Sequence, residues 1–237
     1  MDLLADNNIE TIRNTETVVP APIIETKTIP HFPSYPFPRH GDAILLVIPT
    51  ANKHKTQILF EAFKAQKPPT APLHHIVIPA DSGVGEQPYD SAGIIGAYNR
   101  INNALRALAS SPEKQIVLAE KQIGSVIVAS IENYIQLAAG ASGSRSVDYG
   151  VVMVHNATKW VTAASLSKGV TVPEVFVDKA RSFGFEDDEG RYGKVTVGSI
   201  LADSVPGLDK ADWHVVLAGR SRYELLREAI DGISIPW

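Results

Sequence analysis

Two short apolar runs constrain this chain more than any other feature: Ala43-Ile-Leu-Leu-Val-Ile48 and Gly124-Ser-Val-Ile-Val-Ala-Ser-Ile131. A strand with one wet face alternates apolar and polar residues, whereas a near-continuous run of this length suits a strand buried on both faces. Both runs fall far short of the roughly 20 residues of a membrane span. The segment from Lys55 to Ala65, with Ile58, Phe60 and Phe63, follows the first run with a helical pattern. Ile94, Tyr98, Ile101, Leu105 and Leu108 share one face of a second helix. His74 to Pro79 reads as a strand between them. Successive βα units predict an α/β chain with a central mixed sheet flanked by helices.

Downstream, Pro112 is expected to close the second helix, and Asp148–Val154 and Lys159–Ala164 read as an antiparallel pair turning at Asn156-Ala157. Pro173 predicts a helix entered with proline in its first turn, Glu186-Asp-Asp-Glu189 a solvated loop, and Arg222–Asp231 a last helix ended by Gly232. Pro20, Pro22, Pro30, Pro33, Pro36 and Pro38 crowd a start that has no sustained periodicity. Residues 1–41 are therefore expected to form an extended or disordered arm, and 42–237 the folded domain.

Composition narrows the chemistry. The chain has no cysteine, so disulfides, thiolate metal sites and cysteine nucleophiles are excluded. A formal net charge of -4 argues against a broad nucleic-acid footprint but leaves room for a small anion at a local positive cluster. The opening MDLLADNNIETIRN has acids where a secretory signal needs a basic region and an apolar run, so a cytoplasmic protein without membrane association is expected.

Four segments carry candidate chemistry. Thr50, Asn52, Lys53 and Lys55 stand where a buried strand gives way to a helix, a place whose free N–H groups and lysines suit phosphate; an N-cap with solvated lysines fits the same residues. Ser82-Gly-Val-Gly-Glu86-Gln87-Pro-Tyr89 is a loop in which Gly83 and Gly85 permit close backbone approach. The next helix carries Asn99, Arg100 and Asn103 on a polar side that can reach phosphate. Glu132 ends an apolar strand, where ligands gather in open α/β sheets and where a hard cation finds carboxylate oxygen. Gly219-Arg220-Ser221-Arg222 is a second positive spot, before the last helix. The sequence has neither GxxxxGK[ST] nor GxGxxG.

In this order and spacing the segments resemble the noncanonical purine NTP phosphatases, also called inosine/xanthosine triphosphatases, over the region after Gly41. Thr50, Asn52 and Lys55 match a TxNxxK motif, and Ser82–Tyr89 is similar to SGVxEQP[FY]. Gly96-Ala97, Asn99-Arg100 and Asn103-Ala104 match GAxNRxxNA; Ile131-Glu132 matches the start of IExGI; and Gly219, Ser221 and Arg222 match GxxSR. The resemblance implies two lobes around a nucleotide cleft, a homodimer, and hydrolysis of triphosphates such as ITP and XTP to diphosphate and phosphate with Mg²⁺ or Mn²⁺. It casts Lys55, Arg100 and the backbone near Asn52 as phosphate contacts. Glu132 and Asp148 become metal ligands and, with Lys55, the catalytic set. Thr50, Lys53, Gly83, Glu86, Gln87, Asn99, Arg220 and Arg222 complete the substrate site.

The chain also departs from that pattern. Ser91-Ala-Gly-Ile94 replaces acidic residues, Tyr134 replaces the glycine of IExGI, and Gln136 stands where an aspartate often follows. Asp148 is then the best remaining second carboxylate. The departures support an alternative expectation, a nucleotide-binding or scaffold protein that kept the fold and lost efficient hydrolysis.

Overall fold

A computed structural model describes residues 17–24, 29–138 and 145–237 of the chain. Its centre is β2 (Ala43–Ile48), buried at every position. This strand pairs in parallel with β3 (Leu73–Val77) on one side and β5 (Ile123–Gln136) on the other. β5 then runs antiparallel to β6 (Ser146–Asn156), from Ile127 opposite Asn156 to Gln136 opposite Val147. The far edge of β6 is shared: β7 (Val161–Leu166) pairs with its second half and β8 (Gly169–Val172) with its start. Parallel and antiparallel ladders thus meet in one mixed sheet, as the apolar runs predict.

Helices cover both faces. α1 (Lys53–Gln66) and the last helix of the chain, Arg222–Asp231, set Leu59, Phe63, Leu226 and Ile230 against Ile44, Leu46, Ile48, Ile127 and Ala129. On the opposite face α2 (Ala92–Ala109) packs Ile101, Leu105 and Leu108 against Leu45, Val47, Val126 and Val128. Alternation of side chains along each strand divides these two layers. Each fully buried leucine or isoleucine contributes roughly 1.5–3 kcal/mol by leaving water. Pro112 does not simply end α2. It sits in the first turn of a separate helix, α3 (Pro112–Glu120), where Ser111 is the N-cap and accepts the Lys114 N–H at 3.3 Å. Proline lacks an N–H that the first turn leaves unpaired anyway, so a helix start suits it.

A third apolar cluster forms a smaller lobe. It gathers α4 (Glu174–Arg181), α5 (Val197–Ser204) and α6 (His214–Ala218) around Val170, Val172, Trp213 and Leu217. β4 (Gln87–Pro88) and β9 (Tyr192–Gly193) make a short antiparallel ladder beside it. The chain ends in α7 (Arg222–Asp231), entered through a capping box between Ser221 and Glu224. Among the described residues no helix is long and apolar enough to cross a membrane.

The expectation of a disordered arm is corrected for residues 17–24 and 29–41; residues 1–16 and 25–28 lie outside the described part. β1 (Val18–Val19) pairs antiparallel with β8, and Thr17 accepts the Thr171 N–H. Phe32 lies against Tyr98 and His155, with ring centroids 4.5 and 4.2 Å away. The Tyr35 hydroxyl donates to Asn102 Oδ1, and the Tyr98 hydroxyl donates to the His31 carbonyl. Phe37 is 6% exposed. Single aromatic anchors spaced by prolines leave no period for a sequence pattern to reveal, yet each buries a large apolar area. The covered His155 imidazole is pushed down to about 4 by burial.

Phe37→Ala should therefore cost about 3 kcal/mol or more. For a domain of this size that lowers the melting temperature by roughly 6–12 °C. An unchanged thermal melt would contradict docking of the arm.

Candidate functional site

The site begins with a mismatch in strand length. β2 pairs with β5 only as far as Val47 and Val128, and β5 meets its next neighbour at Ile135, bridged to Tyr89. Between those points one edge of β5 has no neighbouring strand among the described residues. Lys55 fills part of the gap, and its amino group donates to the Ile131 carbonyl at 3.2 Å. The turn before α1 aims it there: Thr50 Oγ1 accepts the Asn52 N–H, and Asn52, the N-cap, accepts the Lys55 N–H at 3.0 Å. Burial lowers the Lys55 amine to about 8; neighbouring Glu132 opposes the fall, while Arg222 and Arg100 add to it.

The opposite wall is the Gly-rich loop. Gly83 and Gly85 adopt φ of 64° and 69°, a region that side chains disfavour. One side of α2 holds the approach to this loop by its carbonyls. Arg100 Nη1 donates to Ala80 at 2.7 Å, Asn103 Nδ2 to Asp81 at 3.0 Å and Asn99 Nδ2 to Ser82 at 2.7 Å. Gln87 is buried, with its Oε1 accepting the Val197 N–H that opens α5, so loop and smaller lobe are tied together. Arg100 also donates from Nε to Glu132 Oε2 at 2.6 Å. The contact requires α2 to lie close to β5: a Cβ on Gly96 would sit 3.1 Å from Glu132 Cγ and 2.7 Å from Val84 Cγ2.

The third wall joins β6 to the smaller lobe. Asp148 Oδ2 lies 2.7 Å from His214 Nε2, with both side chains almost wholly buried. Asp212 accepts from the Ser221 hydroxyl and from the Arg222 N–H at 2.6 Å each, setting the start of α7. Arg222 Nη1 donates to the Ala211 carbonyl, while its Nε is buried without a partner among the described residues.

These walls enclose a cleft of about 160 Å³ lined by Lys55, Glu86, Gln87, Glu132, Asn133, Asp148, Thr196, Gly198, Lys210, Trp213 and Arg222. Of the residues singled out in the sequence, Lys55, Glu86, Gln87, Glu132, Asp148 and Arg222 converge here. The others take different places. Thr50, Asn52 and Asn99 shape backbone turns, Gly83 gives the loop its bend, and Lys53 is exposed outside the cleft. Arg100 stands behind the wall with its guanidinium on Glu132 and Ala80, outside the lining of the cleft. Arg220 pairs with Glu228 at 2.5 Å on α7 and is also absent from that lining. Lys210, Trp213 and His214 were missed, and so were Thr196 and Gly198. No motif marks them, because folding alone brings the smaller lobe against β6.

Glu132 and Asp148 both line the cleft but project from opposite faces of the β5–β6 ladder, Glu132 standing opposite Val151 and Asp148 opposite Ile135; each uses one carboxylate oxygen on a partner of its own. Among the described residues Glu132 Oε1 accepts only the neighbouring Asn133 N–H, at 3.3 Å. Among the described residues no group of three His, Asp or Glu is placed to hold a metal by itself. Mg²⁺-type ions commonly take one or two carboxylates and complete their shell with water and substrate phosphate. One carboxylate, Glu132, suffices for such an ion as the companion of a bound polyphosphate; Asp148, on the other face of the ladder, does not share it.

No protein-family model matches the sequence, so the resemblance drawn from its motifs rests on the residues themselves. The fold is similar to the crystal structure of protein VC0702 from Vibrio cholerae, with a TM-score of 0.57 over 79% of this chain and 91% of that chain, at 15% identity. A likeness at that identity establishes the mixed α/β fold.

Breaking a largely buried ion pair from one side strands the other charge, at a cost of about 3 kcal/mol or more. Arg100→Met should thus lower the melting temperature by roughly 6–12 °C. The double variant Arg100→Met/Glu132→Met should recover most of the loss, and equal melts for single and double variants would refute the pairing.

Proposed function

We propose that this chain hydrolyses purine nucleoside triphosphates of the inosine and xanthosine type to the diphosphate and phosphate, with Mg²⁺ or Mn²⁺ as cofactor. The observation that carries the reading is convergence. Four separate sequence segments deliver Lys55, the Glu86-Gln87 loop, Glu132 and Arg222 to one gap at the carboxyl end of the central parallel strands, where α/β sheets take ligands. Lys55, Lys210 and Arg222 supply positive charge for phosphate oxygens. A cleft of about 160 Å³ is smaller than the roughly 300–1,000 Å³ that encloses a whole small molecule, so it suits the polyphosphate. Glu132 Oε1 would hold the dication, with water and substrate phosphate completing its shell. When bound, such an ion neutralises phosphate charge and acidifies coordinated water. The protein's own part is positioning and charge balance, which carry most of phosphoryl transfer. On this reading the protein works in the cytoplasm, and the homodimer belongs to the same proposal.

One observation favours a second reading, nucleotide binding without efficient turnover. The Arg100 guanidinium opposes the Glu132 charge at 2.6 Å, and Gln136, in place of an acid, donates to Asp90 at 2.7 Å. Phosphate release from a nucleotide panel with Mg²⁺ and Mn²⁺, run beside thermal shifts, separates the two. Turnover of ITP or XTP supports the hydrolase; a shift without turnover supports the binder; neither response rejects both.

Lys55 gives the proposal a pH signature. Its amine is protonated below about 8 and loses its charge above that value. ITP affinity should hold from pH 6 to about 7.5 and weaken as pH rises past about 8, where an ordinary lysine would keep its charge to about 10. Lys55→Arg should flatten the profile, which calorimetric titration would show. For stability the sign is opposite. The folded amine binds its proton less readily than the unfolded one, so charged Lys55 costs stability below about 8, and that cost is relieved between about 8 and 10.5.

A further inference from the structure

We propose that the open edge of β3 is a docking strand for an extended acidic segment of a partner protein, which adds to the sheet and lays alternate apolar side chains into a trench between β3 and α3. The sheet runs β1, β8, β6, β5, β2, β3, so β3 is an outer strand, and among the described residues no strand pairs with its far side. The opposite edge is sealed by the arm through β1. Ile44 donates to the Pro72 carbonyl at 2.8 Å, and Ile78 donates to the Ile48 carbonyl at 3.0 Å. A parallel ladder bonds alternate residues of a strand to one neighbour. His74 and Ile76 therefore turn their backbone to β2, while Leu73, His75 and Val77 present N–H and C=O groups outward.

Beside that edge lies a trench of about 320 Å³ whose floor is Leu45, Leu108, Leu118 and Ile123, all buried. The register sets Leu45 opposite His74, which turns the His74 and Ile76 side chains to the trench face. The His75 ring points the other way, 4.2 Å from Phe60 of α1. His75 and Val77 still line the trench, so their outward backbone groups stand at its lip. Apolar surface lies open on both sides of that lip, with Val77 42% exposed on one face and Val117 of α3 38% exposed on the other. An added strand, with side chains alternating between the two faces, covers both. A fatty chain in the trench would leave Val77 and the backbone groups unused. Charge selects the occupant further. Lys114 and Lys121 flank the trench, no acidic side chain lines it, and neither lysine meets a carboxylate among the described residues. Their stems cover apolar surface while the ammonium groups stay in water, ready for an acidic partner. A second copy of this chain, paired edge to edge, would bring the same lysines instead.

The probe is a fluorescein-labelled, acetylated peptide in which valine alternates with glutamate, about six residues long, the usual length of a strand. It is titrated into the full chain by fluorescence anisotropy, and saturable binding at or below about 1 mM is expected. Methylating every second peptide amide removes the donors on one edge of the peptide and leaves the other edge intact. Of the two isomers so made, one should bind at least about tenfold more weakly and the other nearly as well as the parent. Lys114→Glu/Lys121→Glu should weaken binding by about tenfold as well. Val77→Pro removes an outward N–H without touching the ladder to β2, so it should weaken binding while the thermal melt stays near wild type. If that variant melts early, the methylated pair, which leaves the protein unaltered, decides alone. No saturable binding, equal losses in both isomers, or wild-type affinity in the double-glutamate variant would each overturn strand addition. So would displacement of the peptide by decanoate with both isomers binding alike, the mark of a fatty-carboxylate site. A dimer in sedimentation that Val77→Pro dissociates would overturn it too, by giving the edge to a second copy.

Discussion

A 14-residue strand, β5, lies beside a six-residue one, β2, and every feature of the cleft depends on that disparity. A strand that outruns its neighbour must satisfy its free edge by some other means. Here Lys55 reaches in from α1 to one carbonyl, and Tyr89 and Asp90 resume pairing at Ile135. The space between is where a ligand can lie against β5. Lengthening β2 would close it. The sheet is thus both the scaffold and, through its interruption, the site.

The Arg100–Glu132 pair links this gap to the loop above it. One guanidinium holds the β5 carboxylate and the carbonyl that leads into the Gly-rich loop, so loop position and carboxylate orientation are coupled. A buried pair of this kind is weak evidence for stability gained, because desolvation offsets much of the attraction, but its geometry is hard to shift once formed. Gly96 lets the helix approach closely enough for that geometry. A methyl group there would press on Val84 and Glu132 together.

The sequence signals that reported the fold were periodic, and those that reported the site were motifs. Ala43–Ile48 and α2 declare themselves because a strand buried on both faces and an amphipathic helix leave distinct patterns. Motif residues were legible in location and less so in role. Thr50 and Asn52, which suit a phosphate contact or an N-cap alike, make the cap, and Asn99 and Asn103 hold loop carbonyls, because one short polar side chain serves either purpose. His214 left no trace in the pattern. Its partner Asp148 lies 66 positions away, and only the packing of α6 on β8 brings them together. The arm escaped for a related reason: Phe32, Tyr35 and Phe37 anchor it one at a time, without a period.

That arm has a consequence for how the chain is made. Val18 pairs with Val170, and Thr17 accepts from Thr171, so the first described segment finds its partners only after most of the polypeptide exists. On the ribosome, where residues emerge in order, Phe32 and Tyr35 gain Tyr98 and Asn102 as soon as α2 assembles, whereas residues 17–19 wait for β8. The arm then seals the outer edge of β8, which would otherwise offer unpaired backbone to another chain. That pairing is the last step of the arm's docking, and a nascent protein stalled before β8 would hold its aromatics in place while Val18 and Val19 still lack a strand beside them.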